Sequence, residues 1–366
     1  MADLKAHFNA QELVNYADAI RANEEPSLWE RLFPAETAPS LELKWIKSTR
    51  RKTVILQASA LDETAPRRSR LGAEKIITDM PFFRESMPIT EKDRQELLKL
   101  IDAANNRQSE IDSILSDLYE AHAGLILGAY GDCDVMAGML ITGGKIDIVA
   151  PDNKGTTSQF SYDYDDDAGT WKSTNVTQLS GTGTWTTANK ATSTPMQDIL
   201  NAIQAQEDRG YRVSRIVMNS ATFKAFCESD SIQKTIMPLG GVVRKADARA
   251  FIENEAESDE LIVYNKTYAD HAGNIIKVIP DGFVVLLTDQ MLGKMYFGPT
   301  PEIFDKAYNQ VPDGRDVAVS QFDGKDCVSV ECYTSPNPVC QTTIASMAAL
   351  PSFTEMDGVA VIKTTE

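Results

Sequence analysis

The feature that most constrains this chain is a switch of hydrophobic period between its strands and one long helix. Ile111, Ile114, Leu115, Leu118, His122, Leu125 and Ile126 recur at three- and four-residue spacing, with Asp112, Ser116, Asp117 and Glu120 opposite. That is the pattern of an amphipathic helix. Thr90 with Asp93 three residues on, and Glu91 placed to favour the dipole, supplies its start, so helix is expected over about 91–128. His122 falls on the apolar face, where a hydrogen-bonded core histidine is expected.

On either side the period is two. LELKWI and KTVILQA, then KIITDM, read as a long hairpin over 41–89 with an irregular tip between Ala60 and Glu74. From Met136, GMLITGGKIDIVAP and SQFSYDYDDDAGTW read as strands broken by glycine and aspartate turns. The Ser/Thr-rich stretch 170–193 reads as a polar connection and lobe boundary. Thr194-Pro195-Met196-Gln197 then opens a helix, with Thr194 as cap and Gln197 closing a capping box; Met196, Ile199, Leu200 and Ile203 give its core face and Gly210 its end. Beyond it RIVMN, SATFKAFCES, ADARAFIE, ELIVYN, NIIKVI and FVVLLT alternate strand and helix, and 311–366 returns to strands. The fold class is therefore α+β.

The N-terminal part has little core of its own. Ala10–Ala22 can form a short helix, and Leu28, Trp29, Leu32 and Phe33 cluster between Pro26 and Pro34. Such a cluster needs a surface to dock on: a neighbouring molecule, or its own subunit.

Charge separates one segment from the rest. Between Lys44 and Lys75 stand nine basic residues, among them Arg50, Arg51, Arg67, Arg68 and Arg70, against three acidic ones. This local balance of +6 leaves −23 on the remainder of a chain whose net charge is −17. A cationic hairpin on an anionic body suits docking onto an acidic neighbouring copy, or is a solvated surface hairpin. Nucleic-acid contact is disfavoured, because only Trp45 mingles with these cations and the whole chain repels phosphate.

Searches for catalytic chemistry return nothing to build on. His7, His122 and His271 stand far apart, and neither HExxH nor GxSxG occurs. Gly138 and Gly143 have phosphate-loop spacing, but Gly144 stands where lysine is required, so a glycine turn between strands is expected. The run Tyr162–Asp167 offers oxygen ligands without an EF-hand glycine or distal glutamate, and reads as a solvated hairpin tip. Five scattered cysteines (Cys133, Cys227, Cys327, Cys332, Cys340) read as reduced, partly buried thiols. Neither a signal peptide nor a membrane span is expected, so folding belongs in a reducing cytoplasm. No catalytic residue, cofactor or metal is expected.

Several ordered strings resemble the major capsid protein E family of lambda-like tailed bacteriophages. These are WERLFP, RRSRLGAEKIITDMPFFRESMPIT, AHAGLILGAYGDCDV followed by GKIDIV, TGTWTTANKATSTPMQDILNAI, and ELIVYNKTYADHAGNIIKVIPDGFVVLLTDQMLGKMYFG. The resemblance runs from about residue 26 to the end, apart from the Ser/Thr-rich segment and the MPLGGVVRK loop. It implies the tailed-phage major capsid fold of the Hong Kong phage type. By position this gives an N-terminal arm (1–40), an extended β-hairpin loop (41–89), a peripheral lobe with a long spine helix (90–193, with return strands 311–366) and an axial lobe (194–310). Inter-subunit contacts would fall on Trp29, Leu32, Phe33, Arg50, Arg51, Arg67, Arg68 and Arg70. Met237, Pro238, Leu239, Gly240 and Gly241 would lie nearest the symmetry axis. The implied function is a structural subunit of an icosahedral virion capsid, assembling with copies of itself into hexamers and pentamers in the bacterial host cytoplasm. Scaffold, portal and decoration proteins are further partners open to it, with non-specific contact to packaged DNA and none to membranes. A tail or baseplate component is the alternative.

Overall fold

The computed structural model describes residues 9–47, 74–89, 91–92, 95, 99, 108–151, 157–165, 168–270, 273–308, 310–312, 314–336 and 339–365. Helix α1 (Ala10–Asn23) opens on Asn9, whose side chain accepts the Glu12 amide. The short α2 (Leu28–Leu32) opens on a capping box between Ser27 and Glu30. Strands β1 (Ala35–Thr37), β2 (Glu42–Lys47), β3 (Glu74–Asp79) and β4 (Phe82–Ile89) lead to α3 (Gln108–Gly143), about 54 Å long at 1.5 Å per residue. Next come β5 (Lys145–Pro151), β6 (Thr157–Asp163), α4 (Thr170–Asn175), β7 (Val176–Gln178), α5 (Pro195–Arg209) and β8 (Val213–Met218). Helices α6 (Ser220–Glu228), α7 (Asp230–Ile236) and α8 (Lys245–Glu255) precede β9 (Glu260–Val263), β10 (Thr267–Ala269), β11 (Ile275–Lys277), β12 (Phe283–Thr288) and β13 (Met295–Gly298). Helix α9 (Pro301–Ala307) and strands β14 (Arg315–Phe322), β15 (Lys325–Pro336), β16 (Val339–Pro351) and β17 (Ala360–Lys363) complete the chain.

These elements form two compact units. The first takes 1–43, 77–136 and 294–352; the second takes 44–76, 137–293 and 353–366. This differs from the lobe boundaries expected above: 137–193 and the C-terminal strand fall with 194–293, and 294–310 falls in the first unit. Of the expected arm, the described residues 9–40 belong to the first unit.

The first unit is a sheet of order β1-β13-β16-β15-β14, with β4 also paired to β16. Its long antiparallel strands carry Val328, Val330, Cys332, Ala345 and Met347 as buried residues. The second unit is a sheet of order β7-β17-β12-β8-β9, with β12 antiparallel to both β17 and β8. Its core joins Ile216, Met218, Val284, Leu286 and Ile362 of the strands to Ile199, Phe223, Phe226, Ile232 and Ile252 of the helices. Pro280-Asp281-Gly282 turns as expected, with Gly282 at φ +80°.

Three local expectations need correction. Helix α3 runs on to Gly143 where strands were read from Met136, because residues buried all round lose their amphipathic period. Gly138 is where Val278 crosses: a Cβ there would lie 2.2 Å from the Val278 carbonyl oxygen. Gly144 (φ +66°) ends the helix, its amide bonded to the Leu140 carbonyl, so the double glycine is a C-cap and not a turn between strands. Stretch 170–193 is part of the second unit, anchored by buried Trp171, Asn175 and Trp185. The capping box at Thr194 does not form: its side chain makes no cap bond, and Gln197 instead donates to Asn201. By length and composition Ser116–Gly143 could cross a membrane, but Ala123, Ile126, Cys133, Met136, Leu140 and Ile141 are fully or almost fully buried within the protein.

Candidate assembly surfaces

Trp29, Leu32 and Phe33 are fully buried in their own subunit. The Trp29 ring stacks on Tyr130 at 6.2 Å and meets Phe297 and Phe322 edge-on at 6.0 and 5.0 Å, while its amide donates to Asp134 Oδ1 at 3.1 Å. Helix α1 beside it is fastened at several points. The Ala10 amide donates to Asp316 Oδ2, the Tyr119 hydroxyl to Glu12, and the Ser320 hydroxyl to Asp18, each at 2.8 Å. Arg21 lies 4.2 Å over the Tyr130 ring, a cation–π contact. The expected inter-subunit role of Trp29, Leu32 and Phe33 is therefore corrected: the aromatic cluster finds its surface within the chain, leaving no side-chain area for a neighbour.

Arg50, Arg51, Arg67, Arg68 and Arg70 lie outside the described residues. At the edge of that segment Trp45 is buried against Tyr164, ring centroids 5.6 Å apart, so its indole is not exposed for base stacking.

Met237–Gly241 bridges α7 and α8 and stands out from the surface. Leu239 is fully exposed and Val242 86% exposed. Gly240 (φ +86°) and Gly241 (φ +147°) hold a backbone that L residues rarely adopt, and the Gly240 amide closes a turn on the Met237 carbonyl at 3.0 Å. Leu239, Gly240 and Gly241 of this loop are exposed, while Met237 and Pro238 are half-buried, Met237 against the core of the second unit.

Sequence reading missed a polar network on one face of the first sheet. Glu302 and Glu331 are buried there, yet Arg84 pairs with Glu302 at 2.8 Å and Arg315 with Glu331 at 3.0 Å. Ser346 adds a hydrogen bond to Glu302 at 3.1 Å. Burial raises the Glu331 pKa, opposed by Arg315 and Arg84 and reinforced by Glu302. Alternating charges of this kind can be satisfied in place and need no ligand. Glu36 is the converse: hydrogen bonds from Lys294 and Lys325, each 2.9 Å long, hold its carboxyl at about 2.

The acidic run has a structural use. Asp165 accepts the Trp171 and Lys172 amides at 2.8 and 3.0 Å, capping α4, and Asp163 pairs with Lys172. Among the described residues no group of three or more His, Cys, Asp and Glu is placed to hold a metal. All five cysteines are free; burial pushes the Cys327 thiol up to about 12 and Cys332 to about 11. His122 is buried, its Nδ1 2.8 Å from the Leu118 carbonyl, and burial lowers its pKa.

The sequence profile of the phage major capsid protein E family matches residues 12–362. This chain belongs to that family. It is a structural subunit of an icosahedral phage capsid, and its place is the virion. The capsid subunit shares its fold with a candidate capsid protein of an E. coli CFT073 prophage, at TM-score 0.57 and 11% identity over 97% of this chain and 99% of that one. A phage-related protein from Bordetella bronchiseptica RB50 is similar at TM-score 0.53 and 14% identity over 97% of both chains. Among curated proteins none matches significantly.

Proposed function

We propose that this capsid subunit assembles into hexamers and pentamers, with Met237, Pro238, Leu239, Gly240 and Gly241 nearest the symmetry axis. The observation that carries this reading is the full exposure of Leu239 and Val242 on a glycine-shaped loop held between two helices. Leu239 and Val242 stand three residues apart on one loop, and two large apolar side chains shown together to water suit the apolar centre of a contact with another copy. A repeated patch meeting a different patch on the next copy closes a ring, and rings multiply weak contacts into a shell. The cationic segment bearing Arg50, Arg51, Arg67, Arg68 and Arg70 would dock on an acidic neighbour, as its charge against the anionic body suggests. Assembly would take place in the bacterial host cytoplasm, with scaffold, portal and decoration proteins as later partners and packaged DNA met non-specifically.

Electron microscopy of the purified full chain tests this. Closed shells or hexameric capsomers are expected from the native sequence, and loss of both from a Leu239→Asp, Val242→Asp variant whose thermal melt is unchanged. Undiminished capsomers in that variant would remove the loop from the axis. Tubes or stacked rings from the native chain would favour a tail component.

A further inference from the structure

Several helices of the capsid subunit place their charges along the macrodipole. Five of the described helices carry an acid in the first turn and a base in the last: Glu12 and Arg21 in α1, Glu30 and Arg31 in α2, Asp198 and Arg209 in α5, Asp230 and Lys234 in α7, Glu302 and Lys306 in α9. That order is the favourable one, because the amino end of a helix is partially positive and its carboxyl end partially negative.

Helix α8 has Asp247 on the favourable side in its first turn, but cations begin it and acids end it. Arg244 is its N-cap residue and Lys245 its first residue, whereas its last turn has no base and carries Glu253 and Glu255. Glu257, Asp259 and Glu260 extend the acidic end past the helix. Arg244, Lys245, Glu255 and Glu257 are all exposed. Among the described residues none of these four forms an ion pair, whereas Asp259 reaches Arg212 at 3.6 Å. The arrangement works against the helix that bears it. It also places a cationic end and an anionic end about 16 Å apart across one subunit, from eleven residues at 1.5 Å each.

The cationic end follows the exposed loop: Leu239 and Val242 precede Arg244 by five and two residues, with buried Val243 between. We propose that this apolar and basic corner receives the acidic turn Glu255–Glu260 of the next copy in a ring. The occupant is a second copy of this chain because it carries the complementary charge, and because one patch of each sign per subunit is what a head-to-tail ring requires. Leu239 and Val242 would be covered in the contact, with the charges setting its register. This rests on the ring reading given under Proposed function and names the two surfaces that meet.

Charge exchange in the full-length chain tests the pairing. Arg244→Glu with Lys245→Glu gives two acidic faces, and Glu255→Lys with Glu257→Lys gives two basic ones. Both changes bring α8 into line with its dipole, so neither should lower the melting temperature of the unassembled subunit. At low salt each variant should lose about tenfold or more in assembled fraction, since like charges then face one another. The fourfold exchange within one chain should restore shells. An equimolar mixture of the two double variants should form alternating six-membered rings, but no closed shells, because five copies cannot alternate. If the native chain assembles and both double variants match its yield, the pairing is wrong. It is equally wrong if the fourfold variant keeps its fold and stays unassembled. A native chain that forms neither shells nor capsomers overturns the ring reading itself, a different result.

Discussion

Replacing Trp29 with alanine separates a core role from an interface role. The indole is fully buried, stacked on Tyr130 and edged by Phe297 and Phe322. Truncating such a ring leaves a cavity too enclosed to collapse, and comparable Phe or Trp to Ala changes cost about 3–5 kcal/mol. Asp134 would keep its bond to the residue 29 amide, since that is a backbone donor. The expected loss is therefore mostly packing, from a domain stability of about 5–15 kcal/mol in total. The assay is urea unfolding of the unassembled subunit followed by far-ultraviolet circular dichroism. Trp29 is the one tryptophan of four in the first unit, so intrinsic fluorescence of the variant reports the second unit alone. The dichroism midpoint should fall by an amount that, multiplied by the slope, gives about 3 kcal/mol or more. A loss under about 1 kcal/mol, with assembly abolished, would refute the core placement and return Trp29 to an interface.

Further outcomes follow from single contacts. Gly138→Ala should lower the melting temperature, because its Cβ would lie 2.2 Å from the Val278 carbonyl oxygen; Gly128→Ala, with no atom within 4 Å, should raise stability by up to about 1 kcal/mol, as a plain gain in helix propensity. Glu36 has a folded pKa depressed to about 2, so its stabilisation is full above the unfolded value near 4.5 and is lost as pH falls toward 2. Glu36→Gln should accordingly melt lower than the native chain at neutral pH and match it near pH 2, checked by parallel melts. Reversing Arg67, Arg68 and Arg70 to Glu should impair assembly while leaving the subunit folded; normal assembly at low salt would count against an electrostatic role for that segment.

Much of the second unit was legible in the sequence because its signals are local. FVVLLT is β12, RIVMN overlaps β8, and Asn219 caps α6 where SATFKAFCES predicted a helix. What was not legible depends on distant partners. The surface that the Trp29 cluster docks on stayed open, a neighbour or its own subunit, since Tyr130, Phe297 and Phe322 lie more than a hundred residues downstream. The end of α3 reads as strand because burial on every side leaves no polar face to set a helical period. The C-terminal strand was assigned to the peripheral lobe because nothing in GVAVIKTT announces that β17 pairs with β7 in parallel and with β12 in antiparallel fashion. Of the candidate surfaces, the loop at 237–241 was nominated from its place in the lobe order of the resembled family, not from a local signal. The reversed polarity of α8 needed the helix boundaries before its charges had meaning.

The most direct test of the shell-building role is cryo-electron microscopy of the full chain produced alone and concentrated at low salt. Closed isometric particles, with six-membered and five-membered rings of one subunit, are the expected result. A stable monomer of about 40 kDa at every concentration, or open tubes without five-fold vertices, would contradict it.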